Sequence, residues 1–424
     1  MFDFNQTMFV GIDVSKDSNQ VCFINFKREK LLNKSFKNNQ EGANSMKTTI
    51  IEYLSKHNFS SLIIVLESTG IYSIHIANFL SYEAESICAN TNVFLVNPVM
   101  SHNYSKTILG ANKTDSNDAF ALADFAASGK TNNLNVFKPN QHFAIQSLTR
   151  QRKHYIELMS SEKVRILNYI FIKFSDFNNG KHQNKVFSNT FGTTSIQTLL
   201  EFKTPQEIVD LSLEDLTDFI KSKSRNRFDD CEEVAKILKK ACRDSYRLDK
   251  VVYDSINTNL AISFSVIDTY KTVIKQLDEE IIKLIKGSSL SNDIDILCSI
   301  PGINKVYAAS ILSELGVASN FNSDDAIAKY SGIYWSQHDS GNFISEDNRL
   351  KKTGNSFLRY YLIEATASVI HNNLVFKDFY DKKVQEVSKH KESRALVLTS
   401  RKFIRLIYKL LKDHQLYSYP STIN

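Results

Sequence analysis

Four acidic residues occupy positions at which a nuclease could bind a divalent metal ion: Asp13, Glu67, Asp115 and Asp118. The first lies inside the apolar run 9–14 and the second ends the run 62–67, and both runs predict buried strands. The last two open a segment that is typical of a helix start. A carboxylate in or at the end of a buried strand is costly unless it is paired or binds a cation. Composition alone therefore does not explain this placement.

Phosphodiester cleavage is the chemistry that such a set of acids suits. Two divalent ions about 3.5–4 Å apart need carboxylates that bridge and flank them. Mg²⁺ prefers a few carboxylate oxygens together with water and phosphate oxygens. Asp115 alone could instead be the N-cap of its helix. Taken together, the four acids predict a Mg²⁺ site.

The elements that must position these acids alternate between strand and helix patterns over the first 130 residues. The predicted strands are 8–14, 20–26, 32–37, 61–67 and 92–96, and the predicted helices are 42–57, 72–81 and 117–128. A three-strand meander followed by βα units is the order of RNase H-like domains and predicts a mixed α/β sheet. If strands 8–14 and 61–67 lie side by side and parallel, all four acids can meet at one edge of the sheet.

The rest of the chain has mainly helical periodicity. The predicted helices are 141–172, 205–222, 229–244, 246–286, 305–315, 353–372 and 391–413, with a loop at 173–195. The helix 246–286 carries an apolar seam at Val252, Ile256, Leu260, Phe264, Ile267, Tyr270, Ile274, Leu277, Ile281 and Leu284. This seam predicts either a dimerising coiled-coil arm or packing within a bundle.

The predicted fold class follows from these patterns: an α/β N-terminal RNase H/RuvC-like domain, a helical coiled-coil middle and a mainly α C-terminal domain. The predicted domain boundaries are 1–135, 136–290 and 291–424. Residues 173–245 are predicted only to be helical and polar, and the role of this segment stays open.

Two shorter motifs have more than one interpretation. Residues 300–309 resemble a helix-hairpin-helix, whose glycine turn presents backbone amides to a phosphate. Asn304 would replace the usual second glycine there, because Asn tolerates the left-handed region. The alternative is an ordinary Pro-Gly turn between packed helices. Residues 11–16 also resemble the first phosphate loop of actin-like sugar kinases, but no glycine follows Asp13 closely and no later Gly-rich adenosine loop is found, which disfavours a kinase.

Composition sets weaker bounds on function. The chain has 52 Lys and Arg against 46 Asp and Glu, a net charge of +6 that permits a nucleic-acid partner without requiring one. Five scattered cysteines without a Cys-x-x-Cys pair argue against a disulfide framework or a zinc site and fit a reducing cytoplasm. No apolar stretch reaches roughly 18 residues and no signal peptide is recognised, so we expect a cytoplasmic protein with no membrane segment.

Basic charge is concentrated toward the C-terminus. The residues concerned are Arg349, Lys351, Lys352, Arg359, Arg394, Arg401, Lys402, Arg405 and Lys409. We expect the helices that carry them to meet nucleic-acid phosphates, with an affinity that falls as salt rises.

Motifs at both ends of the chain resemble the IS110 family of transposases. The N-terminal part has Gly-Ile-Asp-Val-Ser-Lys at 11–16, Glu-Ser-Thr-Gly-x-Tyr at 67–72, Val-Asn-Pro at 96–98 and Lys-Thr-Asp-x-x-Asp-Ala at 113–119. The C-terminal part has a Ser-Gly pair at 340–341 and Lys-Thr-Gly-Asn-x-x-Leu-Arg at 352–359. The motifs stand in the family's order, and the resemblance covers about residues 8–165 and 295–415.

This resemblance implies roles for individual residues. Asp13, Glu67, Asp115 and Asp118 match the metal-binding DEDD acids of a RuvC-like domain, and Ser340 matches the family's serine nucleophile. Asp339 stands where the family often has serine, so Ser336 is kept as a weaker candidate. A serine hydroxyl needs a base or nearby cations to be a good nucleophile. His338 or Asp339 could take the proton, and Arg349, Lys352 and Arg359 could neutralise phosphate charge.

The resemblance also implies partners and a mechanism. Family members use a noncoding bridge RNA to pair with target and donor DNA. Strand exchange is expected through a 5′- or 3′-linked phosphoserine at Ser340, assisted by the acidic site and Mg²⁺ of another subunit in a dimer or tetramer. Two other classes of protein stay open. One is a Mg²⁺-dependent RuvC/RNase H-like nuclease in which Ser340 is inert, and the other is a noncatalytic nucleic-acid-binding protein.

Overall fold

The computed structural model describes most of the chain in two compact units. The described residues are 3–68, 71–109, 114–134, 136–137, 141–177, 185–225, 227–288, 290–316, 318, 321–335 and 350–419. One unit comprises Met1–Ser147 and Leu284–Asn424, and the other comprises Leu148–Lys283. The domain boundaries placed after residues 135 and 290 stay predictions.

A five-stranded mixed sheet forms the N-terminal part of the first unit. Its strands are β1 (Thr7–Val14), β2 (Ser18–Ile24), β3 (Lys30–Lys37), β4 (Ser61–Glu67) and β5 (Thr91–Val96). Their order is β3-β2-β1-β4-β5, with β1, β2 and β3 antiparallel and β1, β4 and β5 parallel. This is the RNase H-like order, and it confirms the predicted α/β N-terminal fold.

Helices cover both faces of this sheet. They are α1 (Gln40–Lys56), α2 (Tyr72–Tyr82), α3 (Ala84–Ile87), α4 (Pro98–Leu109) and α5 (Asp115–Ala127). Side chains alternate along a strand, so Val10 and Ile12 of β1 pack on one face with Met46 and Ile50 of α1. Phe9 packs on the opposite face with residues of α5. Helices α3 and α4 were not predicted.

The second unit is helical, with a core between two long helices. Its elements are α6 (Gln141–Lys173, from residue 148 onward), α7 (Thr193–Glu201), α8 (Pro205–Asp210), α9 (Leu213–Ser224), α10 (Cys231–Asp244) and α11 (Lys250–Ile285, to residue 283). The single helix predicted over 205–222 is wrong. Ser212 ends the extended break between α8 and α9 and caps α9, because its hydroxyl accepts from the Asp215 amide at 3.0 Å.

The apolar seam of α11 packs inside its own unit. Ile256, Leu260, Phe264 and Ile267 share one core with Ile166 and Ile170 of α6. The rings of Tyr155 and Tyr270 are 6.0 Å apart, and Arg152 pairs with Asp278. The start of the predicted seam is wrong, because Val252 is 39% exposed whereas Tyr253 is 3% exposed and takes the buried place. These contacts favour internal packing as the explanation of the seam.

The C-terminal part of the first unit is mainly helical. Its elements are α12 (Ser291–Cys298), α13 (Lys305–Leu315), α14 (Asp324–Ser331), β6 (Tyr334–Trp335), β7 (Leu350–Lys351), α15 (Ser356–Asn372), α16 (Leu374–Glu386) and α17 (Lys391–Asp413). The predicted helices 305–315 and 391–413 are confirmed to the residue. The helix predicted from 353 begins at Ser356, because Asn355 is its N-cap.

The turn between α12 and α13 packs against another helix. Gly302 takes the left-handed region at φ +97°, and its carbonyl accepts from the Ser368 hydroxyl of α15 at 2.7 Å. Asn304 is extended, at φ −97° and ψ 170°, and caps α13 by accepting from the Tyr307 amide at 2.8 Å. The left-handed conformation expected of Asn304 is therefore wrong. These contacts favour an ordinary turn between packed helices.

In the described parts of the chain, no helix combines the length and the apolar character needed to cross a membrane.

Candidate active site

Asp13 and Glu67 lie side by side on neighbouring parallel strands. Ile12 of β1 is in register with Leu66 of β4, so the next positions bring Asp13 opposite Glu67. Both side chains are half-buried. Because side chains alternate, they project on the face that carries Phe9 and that α5 covers. Adjacent strands are about 4.8 Å apart, so the sheet itself pairs the first two predicted acids.

The other two predicted acids lie in the first turn of α5. Thr114 is the N-cap, because its hydroxyl accepts from the Asn117 amide at 3.3 Å. The interpretation of Asp115 as the N-cap is therefore wrong, and Asp115 is the first helical residue, exposed to solvent. Asp118 is half-buried and accepts from the Ser105 hydroxyl at 3.4 Å. Carboxylates in the first turn are favoured by the positive end of the helix dipole.

A glycine lets α5 approach the sheet closely. A Cβ at Gly11 would lie 2.0 Å from the Ala119 carbonyl oxygen and 2.3 Å from the Ala123 nitrogen. Both contacts are with backbone atoms, and Ala119 and Ala123 are fully buried. The helix thus rests directly on β1, two residues before Asp13. The position of α5 and of its first turn therefore depends on residue 11 being a glycine, which has no side chain.

A hydrogen-bond chain ties the first turn of α5 to the sheet. Gln20 of β2 is the strand partner of Asp13, and its amide donates to the Asn33 side-chain oxygen at 2.5 Å. Asn33 of β3 in turn donates to the Ser116 hydroxyl at 2.6 Å. Ser116 stands between Asp115 and Asp118 in α5. The chain therefore links the strand neighbour of Asp13 to the turn that carries the other acids.

Asn38 joins the loop that follows β1 to the start of α2. Its side-chain nitrogen donates to the Ser15 carbonyl at 2.9 Å and to the Tyr72 carbonyl at 3.4 Å. Its oxygen accepts from Asn19 at 3.3 Å, and Asn19 is fully buried. Ser15 directly follows β1, which carries Asp13, and Tyr72 opens the helix that comes after β4, which carries Glu67. Asn38 therefore helps to keep those strand ends together.

A buried carboxylate of α5, Asp124, was missed by sequence reasoning. It is 2% exposed, accepts from the Tyr104 hydroxyl at 2.7 Å and pairs with the Arg28 guanidinium at 2.8 Å. Burial and the hydrogen bond to Asp124 raise the pKa of Tyr104. These contacts attach α4 and the β2–β3 turn to α5. The only sequence signal was a single Asp in the apolar run 119–127.

The four acids have the donor chemistry of a Mg²⁺ site. All are carboxylates, the protein ligands that this hard cation prefers. Among the described residues, however, no three His, Cys, Asp or Glu side chains come close enough together to hold a metal ion. The fold thus brings Asp13 beside Glu67, and Asp115 one turn before Asp118 on the covering helix. Joint metal binding by all four stays a prediction.

Ser340 and the weaker candidate Ser336 lie outside the described residues, as do His338, Asp339 and Arg349. The chain on either side of them is described. Trp335 of β6 pairs with Leu350 of β7 in an antiparallel ladder. The two ends of the segment 336–349 are therefore held together by this ladder, which we call the stem.

Several of the predicted phosphate-binding residues have partners inside the protein. Arg401 pairs with Asp325, and the Arg405 guanidinium lies 3.3 Å from the Asp324 carboxylate. Lys402 donates to the Val375 carbonyl at 3.3 Å, and burial lowers its pKa. Arg359 donates to two backbone carbonyls beside the stem, at Ser331 and Lys352. These four residues therefore stabilise the C-terminal helices, whatever else they contact.

Comparisons with known proteins match both ends of the chain. A DEDD transposase family model of the IS110 type, described as "Transposase", matches residues 10–172, and one described as "Transposase IS116/IS110/IS902 family" matches residues 294–381. The pilin gene-inverting proteins of Moraxella bovis and Moraxella lacunata are each 22% identical over 410 residues, 96% of this chain and 96% of theirs.

One similar solved structure has a low overall likeness to this chain. RuvC of T. thermophilus in complex with a Holliday junction substrate has a TM-score of 0.24 and 12% identity, covering 31% of this chain and 99% of that chain. At this TM-score the likeness adds nothing to the strand order described above. The two family models, by contrast, include all four acids and the stem.

Proposed function

The chain belongs to the IS110 family of transposases, and we propose that it exchanges DNA strands through a covalent phosphoserine intermediate at Ser340. As a family member it is a DNA transposase or site-specific recombinase. One observation carries the proposal: the two matched segments contain the two groups of residues that the reaction needs. The first segment contains the acids on the sheet and α5, and the second contains Ser340 and the stem on either side of it.

The proposed reaction is a pair of transesterifications. The Ser340 hydroxyl attacks a DNA phosphorus, a serine–phosphate ester forms, and the phosphodiester bond to one strand end breaks. That end leaves as a hydroxyl that receives the proton lost by the serine. A hydroxyl of the incoming strand then attacks the phosphoserine, and the serine regains its proton. Each step exchanges one ester for another, so no outside energy source is needed.

The acidic site supports this reaction in the proposal. Asp13 and Glu67 from the sheet, with Asp115 and Asp118 from α5, are the residues that would hold Mg²⁺. When bound, Mg²⁺ neutralises charge that develops on the phosphate. Gly11 and the Gln20–Asn33–Ser116 chain set the position of α5, and so the separation of the helix acids from the strand acids.

The proposed partners are donor and target DNA, a bridge RNA and further copies of the chain. The relatives from Moraxella are named for inverting a pilin gene, and inversion of a gene exchanges strands within DNA. The bridge RNA and a dimer or tetramer come from the family resemblance. The internal packing of the α11 seam gives no additional support to a dimerising arm.

A gel experiment tests the proposal. Wild type, Ser340→Ala and Ser336→Ala would be incubated with Mg²⁺, RNA from the element end, and end-labelled donor and target DNA, then run on a denaturing protein gel. We expect labelled protein in wild type and Ser336→Ala and none in Ser340→Ala. Nicked DNA without labelled protein, unchanged in Ser340→Ala, would instead indicate a plain Mg²⁺-dependent nuclease.

A further inference from the structure

A buried carboxylate in the C-terminal helices is not used by the proposed reaction. Glu314 of α13 is 3% exposed. Its Oε2 accepts from the Asn355 side-chain amide at 2.8 Å and from the Gln146 side-chain amide at 3.1 Å. A buried carboxylate is costly unless its hydrogen bonds are made. Its retention in this core therefore needs an explanation beyond packing.

Glu314 determines how the Asn355 side chain is oriented. The Asn355 oxygen accepts from the Phe357 and Leu358 amides, both at 3.0 Å, and so caps α15. An asparagine amide has one accepting and one donating end. Because the donating end is bound to Glu314, the accepting end is left facing the first turn of α15. The carboxylate thus holds the cap of this helix in one orientation.

The cap residue Asn355 is also attached to the segment that precedes β6. The Asn355 backbone amide donates to the Tyr330 carbonyl at 2.7 Å. Gly354, at φ +135°, lies so close to the same carbonyl that a Cβ would be 2.5 Å from its oxygen. The start of α15 is therefore in backbone contact with the end of α14.

Arg359, one turn into α15, joins the same two segments. Its Nη1 donates to the Ser331 carbonyl at 3.2 Å and to the Lys352 carbonyl at 3.1 Å. A Cβ at Gly332 would lie 2.6 Å from this nitrogen. Burial lowers the pKa of Arg359. Both contacts depend on the position and direction of α15, and hence on its cap.

We propose that Glu314 is a positioning residue for strand exchange, which acts through Asn355 to hold the two ends of the segment that carries Ser340. The inference rests on the proposed role of Ser340. Glu314 touches neither DNA nor the serine in this account. It sets the start of α15, and α15 with Arg359 then holds residues 330–332 and 352–355 against each other.

An exchange of hydrogen-bond donor and acceptor tests this inference in the full chain. Asn355→Asp keeps an oxygen that can cap α15 but places a second carboxylate against Glu314. Glu314→Gln keeps an acceptor for Asn355. In the double variant, the new glutamine can donate to the new aspartate, so the pair is restored with the roles reversed. The matched control is Glu364→Gln, which changes an exposed carboxylate on α15 itself.

The readout is the rate at which labelled DNA becomes attached to the protein. We expect Asn355→Asp to be at least tenfold slower than wild type, and the double variant to recover to within about threefold. Glu314→Gln and Glu364→Gln should each stay within about threefold. Recovery in the double variant would not be expected if each residue only filled space, because neither change restores volume lost by the other.

Hydrogen exchange of the same variants gives a second readout that needs no DNA. Amides of residues 355–358 should exchange faster in Asn355→Asp and return to wild-type rates in the double variant, while β4 stays unchanged. If wild type forms no adduct, the proposed role of Ser340 fails and the inference fails with it. If wild type forms the adduct and Asn355→Asp matches its rate, or the double variant is no faster than Asn355→Asp, only the role of Glu314 is refuted.

Discussion

Alanine at Gly11 should separate the acids of α5 from the acids of the sheet. The added Cβ would lie 2.0 Å from the Ala119 carbonyl oxygen and 2.3 Å from the Ala123 nitrogen. Both atoms belong to the backbone of α5, so no side-chain rotation relieves the contact. The helix has to move away from β1, and Asp115 and Asp118 move with it. Asp13 and Glu67 stay on their strands.

The size of the effect follows from these distances. A carbon atom and a non-bonded backbone atom need a separation of about 3.4 Å or more, so α5 must shift by roughly 1.1–1.4 Å. Overpacking of a core typically costs about 1–3 kcal/mol, and a backbone clash places this variant toward the upper end. A misplacement of about 1 Å at a reacting centre can cost about 100-fold in rate. We therefore expect a folded protein with a lower Tm and a rate reduced by about two orders of magnitude.

The assay combines thermal unfolding with Mg²⁺-dependent strand cleavage of labelled DNA. Gly192→Ala is the control, because Gly192 has an ordinary φ of −75° and an added Cβ would approach no atom closer than 3.1 Å. That variant should keep wild-type cleavage. If Gly11→Ala also kept the wild-type Tm and rate, the argument that α5 rests on this glycine and positions the acids would be refuted.

Three further changes test other parts of the account. Burial lowers the pKa of Lys173 from 10.5 to about 7, so between these values the unfolded chain binds a proton that the folded protein does not. The free energy of unfolding should then rise from pH 7 to 9 by up to about 1.4 kcal/mol per pH unit, and urea titrations of Lys173→Met should lose this slope. Asn33→Ala should raise the Mg²⁺ concentration needed for half-maximal cleavage several-fold with a Tm change of only a few degrees, whereas Ser35→Ala on the same strand should change neither. Asp124→Asn should lower the free energy of unfolding in urea titrations by about 1–2 kcal/mol, because the buried partner of Tyr104 and Arg28 loses its charge. An unchanged free energy of unfolding would show that the contacts of Asp124 with Tyr104 and Arg28 are not stabilising.

Strand periodicity predicted the sheet well because its signal is local. The runs around Asp13 and Glu67 are apolar on both faces, as expected of parallel strands that are covered on both sides. The order of meander and βα units then determined which strands are neighbours. The pairing of Asp13 with Glu67 therefore followed from the sequence, once strands β1 and β4 were taken as parallel.

Contacts between elements were the part that the sequence could not predict. The close approach of α5 depends on Gly11 meeting Ala119 and Ala123, residues more than a hundred positions away. Nothing in periodicity distinguishes such a glycine from one in a turn. Asp124 and Glu314 were missed for a related reason, because their partners come from other elements. Asp124 is the one polar residue in the apolar run 119–127, and Glu314 is the one acidic residue of α13, which is the weak signal that was available.

Short helices were also missed where polar and apolar residues do not repeat over several turns. Helix α16 begins directly after Asn373, which ends α15 and also caps the next helix by accepting from the Val375 amide at 3.1 Å. Helices α8 and α9 were predicted as one helix. The N-cap at Ser212 that separates them hardly changes the spacing of the apolar residues. Caps of this kind are local in sequence, so Ser212 and Asn355 could have been found by a search for N-cap residues.

The central claim is that Ser340 becomes covalently joined to DNA, and mass spectrometry of the trapped complex tests it most directly. Wild-type protein would be incubated with Mg²⁺, element-end RNA and DNA, denatured, and digested with nuclease and protease. The account predicts a peptide that carries a residual nucleotide phosphate on Ser340. A nucleotide on Ser336 or on any other residue, or a nicked DNA product with no modified peptide, would contradict it.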